Sequence, residues 1–171
     1  MAIITIDNDR QVRNYIADGL GELVNSGQTR EVYRIGDDGV AKIIKGSGRD
    51  ESSILTAVRV LSKEYDISRR LKNGGVNVPD PRGIYKVTHP ETLEVVPAFV
   101  MRYINGVDIE QCLEFPDIMA MWQTEINKAR KLGFIPRDTK GDSKPQNAIY
   151  DSMDNKVYLH DFLAWRENGR I

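Results

Sequence analysis

The chain has 171 residues, 40% of them hydrophobic and 29% charged, which suits one domain or two small lobes sharing a cleft and argues against global disorder. With 24 Lys and Arg against 25 Asp and Glu, the formal net charge is −1, so no overall field favours nucleic acid or an anionic membrane, although a local basic patch stays open. One cysteine, Cys112, excludes an intrachain disulfide and a structural zinc site built on several cysteines. The opening residues lack the basic region and apolar run of a signal peptide, and no stretch of about 18 apolar residues is present, so the expected compartment is the cytoplasm.

In chain order, residues 2–6 (AIITI) read as a short strand, and Asp7 or Asn8 can cap a helix to about Gly19. Three β-rich pieces follow: GELVNSG, REVYRIG and GVAKIIK. The Asp-Asp-Gly turn between the last two predicts a hairpin. The spacing of Ile54, Val58, Leu61, Tyr65 and Leu71 predicts a long amphipathic helix from about Glu51 to Lys72. Asn73-Gly74-Gly75 ends it, and the Pro79 and Pro81 region forbids continuation. Two strands are expected at 83–88 and 94–101 around the turn THPET, then a loop at 105–108. A second helix is predicted from Asp117 to Leu132, ended by Gly133. A polar loop leads to a last hairpin, AIYD and KVYLHDF, joined by SMDN. The order implies an α+β fold, a small β-rich lobe followed by a more helical one.

The strongest signal is Asp142-Ser143-Lys144-Pro145-Gln146-Asn147, followed by a hairpin ending in Asp161-Phe162. It resembles the catalytic loop and metal-binding Asp-Phe-Gly motif of protein kinases. Asp-x-Lys-Pro-x-Asn matches without a gap. Phosphoryl transfer is chiefly positioning and charge neutralisation, so a carboxylate facing the acceptor hydroxyl and oxygen ligands for magnesium have to converge. The resemblance extends over about Gly21 to Phe162. Gly27 lies where the phosphate-covering loop would be, and Lys42 of Val40-Ala41-Lys42 where the strand lysine would be. Helical spacing puts Glu64 on one face with Leu61 and Ser68, able to meet Lys42. Residues 98–106 resemble a kinase hinge, with Met101, Arg102 and Ile104 near the adenine.

The resemblance implies a protein-kinase-like two-lobe fold: an extension at 1–20, a β-rich lobe at 21–104 and a reduced lobe at 105–171. It implies ATP and Mg2+ as cofactors. Asp142 and Lys144 would be catalytic, Gly27, Lys42, Glu64, Met101, Arg102 and Ile104 would hold ATP, and Asn147 and Asp161 the metal. The activity implied is a minimal Ser/Thr protein kinase, similar to small bacterial-type and RIO-like kinases. A pseudokinase or ATP-binding module, and an aminoglycoside-type small-molecule kinase, are the other two readings. Partners would be a protein or small-molecule hydroxyl substrate.

The chain departs from the pattern in places. Asn25 and Arg30 replace glycines of the phosphate loop, Lys140 stands for the usual histidine, and Leu163 follows Asp161-Phe162. Gly133 to Asp138 offers a second register, with Asp138 as the catalytic carboxylate. Lys45 competes with Lys42, and Glu51 and Asp66 with Glu64. Each of these residues also has an ordinary reading as a solvated surface group, Gly27 as a turn, Met101 as core and His160 as structural. The basic cluster Arg137, Lys140, Lys144, Arg166 and Arg170 reads first as a solvated face. Only ten residues follow Asp161, so an activation segment and peptide-binding helices are not expected, and a partner protein or second copy would complete the reduced lobe at 105–171.

Overall fold

The structure is a computed structural model that describes residues 20–136, 145 and 147–167. The strand expected at 2–6, the helix expected up to Gly19, and Asp138, Asp142 and Lys144 lie outside the described residues. The fold is α+β, with a β-rich sheet system and two α-helices among the described residues. None of the described helices is long and apolar enough to cross a membrane. The described residues divide into two compact units, 20–65 with 81–103, and 66–80 with those from 104 onward. Residues 66–80, which the sequence places with the β-rich lobe, group with the second unit.

The first unit is built on a five-stranded antiparallel sheet. Its strands are β1 (Leu23–Ser26), β2 (Arg30–Ile35), β3 (Gly39–Ile44), β4 (Pro81–Thr88) and β5 (Val95–Arg102), in spatial order β1-β2-β3-β5-β4. The β2–β3 hairpin turns at the Asp-Asp-Gly signal, with Ile35 paired to Gly39. β3 is central and buried on both faces, so its sequence runs nearly unbroken in apolar residues. One face packs Tyr33, Ile35, Ala41, Ile43, Ala98 and Val100. The other packs Val40, Phe99 and Met101 with Leu61 of helix α1 (Glu51–Asn73). Leu61 and Phe99 are almost wholly buried, each contributing about 1.5–3 kcal/mol. Because strand side chains alternate, Lys42 shares the helix-facing side with Val40 while its neighbours Ala41 and Ile43 face the other core.

Asp50 and Ser53 cap α1 reciprocally: the Ser53 N–H donates to Asp50 Oδ1 at 2.7 Å, and the Asp50 N–H donates to Ser53 Oγ at 3.1 Å. At the far end the Val76 N–H donates to the Leu71 carbonyl and the Gly75 N–H to that of Lys72. Gly75 takes φ +82°, the left-handed cap that stops a helix.

The second unit holds helix α2 (Pro116–Lys131), a short 3-10 helix (Ile109–Cys112) and the strands β6 (Val107–Asp108), β7 (Phe134–Ile135), β8 (Ala148–Asp151), β9 (Lys156–Leu159) and β10 (Arg166–Glu167). β6, β8 and β9 form one antiparallel sheet, and β7 pairs with β10. Residues 105–108, expected as a loop, thus contribute a two-residue strand held by Tyr150 and Ile149. The β8–β9 hairpin turns at Ser152 to Asn155 as expected, but β9 stops at Leu159. Of His160-Asp161-Phe162, expected to continue it, His160 still bonds Asn147, and the chain leaves the ladder at Asp161, which adopts φ +62°. The core joins Ile67, Leu71, Ile126, Phe134, Leu159, Phe162 and Trp165. Phe162 and Trp165 meet edge to face with centroids 5.0 Å apart.

Candidate functional site

In the first unit, the central strand and the helix bring two of the expected residues together. Lys42 Nζ lies 2.5 Å from Glu64 Oε1, and both residues are buried, at 6% and 1% exposure. Arg30, on β2, stands 3.9 Å from Glu64 Oε2. Of the competing residues, Lys45 sits 3.8 Å from Glu31, and Glu51 is exposed in the first turn of α1. Withdrawing both charges from water costs several kcal/mol per ion, so a buried pair of this kind is weak as a stabilising device and gains its meaning from chemistry or specificity.

The phosphate-loop candidate Gly27 is an exposed turn residue whose N–H donates to the Arg30 carbonyl at 2.9 Å. A Cβ there would meet only that carbonyl, at 3.9 Å, so the turn itself does not require glycine. Met101 is buried in the helix-facing core, and Arg102 is exposed at the end of β5, paired with Gly39. Ile104 is buried and belongs to the second unit.

In the second unit, Asn147 and Asp161 flank the open end of the β8–β9 hairpin. Ala148 pairs with Leu159, and one residue further out the His160 N–H donates to the Asn147 carbonyl at 2.8 Å. Asn147 has φ +55° and Asp161 φ +62°. Asn147 stands opposite His160 and Asp161 follows His160; Asn and Asp enter the left-handed region more readily than other side chains, and such backbone clusters at functional positions. Both are partly buried. An amide oxygen and a carboxylate are hard oxygen donors of the type magnesium takes, with phosphates and water completing its octahedron. Among the described residues no group of three or more His, Cys, Asp or Glu side chains could hold a metal by itself. Of the basic cluster, only Arg166 is among the described residues, exposed on β10.

Several organised groups carry no signal in the sequence. His89 Nε2 lies 3.0 Å from Glu31 Oε2, and the Tyr33 hydroxyl donates to the same oxygen at 3.0 Å. The Glu91 and Thr92 N–H groups point at His89 Nδ1, at 3.2 and 3.3 Å, so Nε2 carries the proton donated to Glu31. Burial alone would push the Glu31 carboxyl up, but the hydrogen bonds from His89 and Tyr33, helped by the Lys45 charge, hold it below its ordinary 4.5. Burial and the bond to Glu31 push the Tyr33 hydroxyl up to about 12. Cys112 is buried; burial, then the nearby Asp108 charge, push its thiol up. Buried Glu125 accepts the Asn77 N–H at 2.8 Å and Lys128 Nζ at 2.7 Å. A glutamate three residues before a lysine on a helix reads as a surface pair, and nothing local announces that it ties down residue 77. In comparisons with known proteins, the chain matches no family model and no curated protein.

Proposed function

We propose that the chain is a minimal, kinase-like phosphotransferase of two lobes that uses ATP and magnesium, with a Ser or Thr hydroxyl of a protein as acceptor. The observation that carries this reading is the buried Lys42–Glu64 pair, a lysine on the central strand held by a helix carboxylate 2.5 Å away. Such a pair orients an ammonium group for the α- and β-phosphates. Bound magnesium would neutralise phosphate charge. On this reading Asn147 and Asp161 hold that metal through their side-chain oxygens, Met101, Arg102 and Ile104 border the adenine, and Gly27 lies in the loop over the phosphates. Asp142 would orient the acceptor hydroxyl and Lys144 steady the transferred group, both by resemblance alone. The cytoplasm is the compartment this activity suits.

The test incubates the full chain with γ-labelled ATP and magnesium, beside Lys42→Met and Asp161→Ala. The expected result is label on the wild-type protein, or on an added protein acceptor, falling to background in both variants. A second reading, an ATP-binding module without transfer, is favoured by the exposed turn at Gly27, which lacks the flanking glycines that let a backbone approach phosphate closely. Thermal stabilisation by ATP and magnesium without any label would select it. Neither label nor stabilisation would end both readings.

A further inference from the structure

A cavity of about 460 Å³ opens in the first unit at the head of α1, between the ends of β2 and β3 and the first three turns of the helix. It lies entirely within residues 29–60. Its floor is apolar, with Ile44, Ala57 and Val60, and its walls carry Arg30, Lys45 and hydroxyl side chains. Ser47 is one of those walls. It is only 3% exposed, and its Oγ has no hydrogen-bond partner among the described residues. A buried hydroxyl left without a partner is costly and calls for an explanation, of which an absent ligand is one. The helix start adds to this. Ser53's amide is taken by the Asp50 side chain and Ile54's by the Asp50 carbonyl, while the amides of Glu51 and Ser52 lie outside the helical ladder.

We propose that this cavity binds a small organic phosphate, a phosphomonoester with a compact apolar body. Arg30 and Lys45, at 3.9 and 3.8 Å from carboxylates outside the lining (Glu64 and Glu31), stand against the single lining carboxylate of Asp50, itself engaged in capping, and favour an anion. The dipole at the head of a helix adds to that preference. The volume falls in the range of small-molecule sites and is far larger than one phosphate group needs, and the apolar floor gives the remainder its chemistry. Ser47 Oγ and the first-turn amides donate to the phosphate oxygens, and Ile44 and Val60 cover the body. The site is separate from the proposed nucleotide site, but Arg30 touches both: it lines the cavity and stands 3.9 Å from Glu64. Occupancy draws Arg30 toward the ligand and away from Glu64, which keeps Lys42 as its partner at 2.5 Å.

The test is a nuclear magnetic resonance titration of the labelled full chain with phenyl phosphate, inorganic phosphate and phenol. Phenyl phosphate is expected to shift the amides of residues 45–56 saturably and to bind more tightly than inorganic phosphate, with phenol causing no change there. Ser47→Ala removes no bond of the free protein and is expected to weaken phenyl phosphate about tenfold, the worth of a hydrogen bond to a charged group. Arg30→Gln weakens it at least as much. The titration contains neither ATP nor magnesium, so loss of the nucleotide reading leaves this site standing. The proposal is overturned by an absence of saturable shifts at 45–56, by shifts centred on Lys42 or Asn147 instead, or by unchanged affinity in both the Ser47 and Arg30 variants. Equal affinity for phenyl phosphate and inorganic phosphate would overturn the organic body.

Discussion

The two units hold buried charge in opposite ways. In the first, Glu64 is met by a side chain, the ammonium of Lys42. In the second, buried Glu125 is met by the backbone amide of Asn77 as well as by Lys128, and buried Asp151 by the amides of Met153 and Asp154. A carboxylate that serves a backbone amide fixes the path of the chain. A carboxylate that serves another side chain leaves the path alone and can be replaced together with its partner. The polar chemistry of the first unit is thus separable from its fold, while that of the second is part of its fold.

Removing one charge and then both tests how the first unit holds its buried pair. Glu64→Leu strands Lys42 in an apolar core and is expected to destabilise by about 3–5 kcal/mol. The double variant Lys42→Met, Glu64→Leu is expected to recover most of that loss in urea unfolding, because buried pairs are often replaceable by apolar side chains. Recovery with ATP binding still absent would separate a functional pair from a structural one. Failure to recover would mean that the pair organises the sheet and helix.

The matching experiment in the second unit has the opposite expectation. Glu125→Leu leaves the Asn77 amide unsatisfied and costs about 1–3 kcal/mol. Adding Lys128→Met restores nothing, since the partner that matters is the main chain; full restoration would erase the distinction drawn between the units.

The smallest effect concerns Glu31 and Tyr33, side chains tied to each other and to His89. The folded state holds the Glu31 carboxyl below its ordinary 4.5, so its contribution is present above that pH and is lost as the pH falls through the lower folded value. Tyr33 runs the other way: its contribution is present below pH 10 and lost as the pH rises toward about 12. Ultraviolet titration should find one tyrosine ionising near 12, and Glu31→Gln should lower that value and flatten the acid limb of the stability curve. A tyrosine population uniform near 10 would contradict the geometry.

Much of the architecture was readable from local pattern. The stripe from Ile54 to Leu71 marks α1, the Asp-Asp-Gly turn marks the β2–β3 hairpin, and Ser152 to Asn155 marks the hairpin of β8 and β9. β6, β7 and β10 are two residues each, too short to show periodicity, and exist only because distant segments pair with them. Within the site, helical spacing singled out Glu64 as a partner for Lys42. The left-handed turn at Asp161 was hidden, since Val157, Leu159 and Phe162 read as one continuing strand. The Glu31–His89 contact joins residues 58 positions apart and leaves no trace in either neighbourhood.

One feature of the second unit has a practical side. The lone thiol, Cys112, is buried and shifted away from its reactive form, so thiol reagents at neutral pH should pass it by. Cysteines placed at the highly exposed Leu93 and Met153 would then take a fluorophore or spin label each, one on either unit, with no need to mutate the natural sulfur away. The wild-type chain is its own unlabelled blank, and the labelled pair would read out, as a distance, what ATP and phenyl phosphate each do.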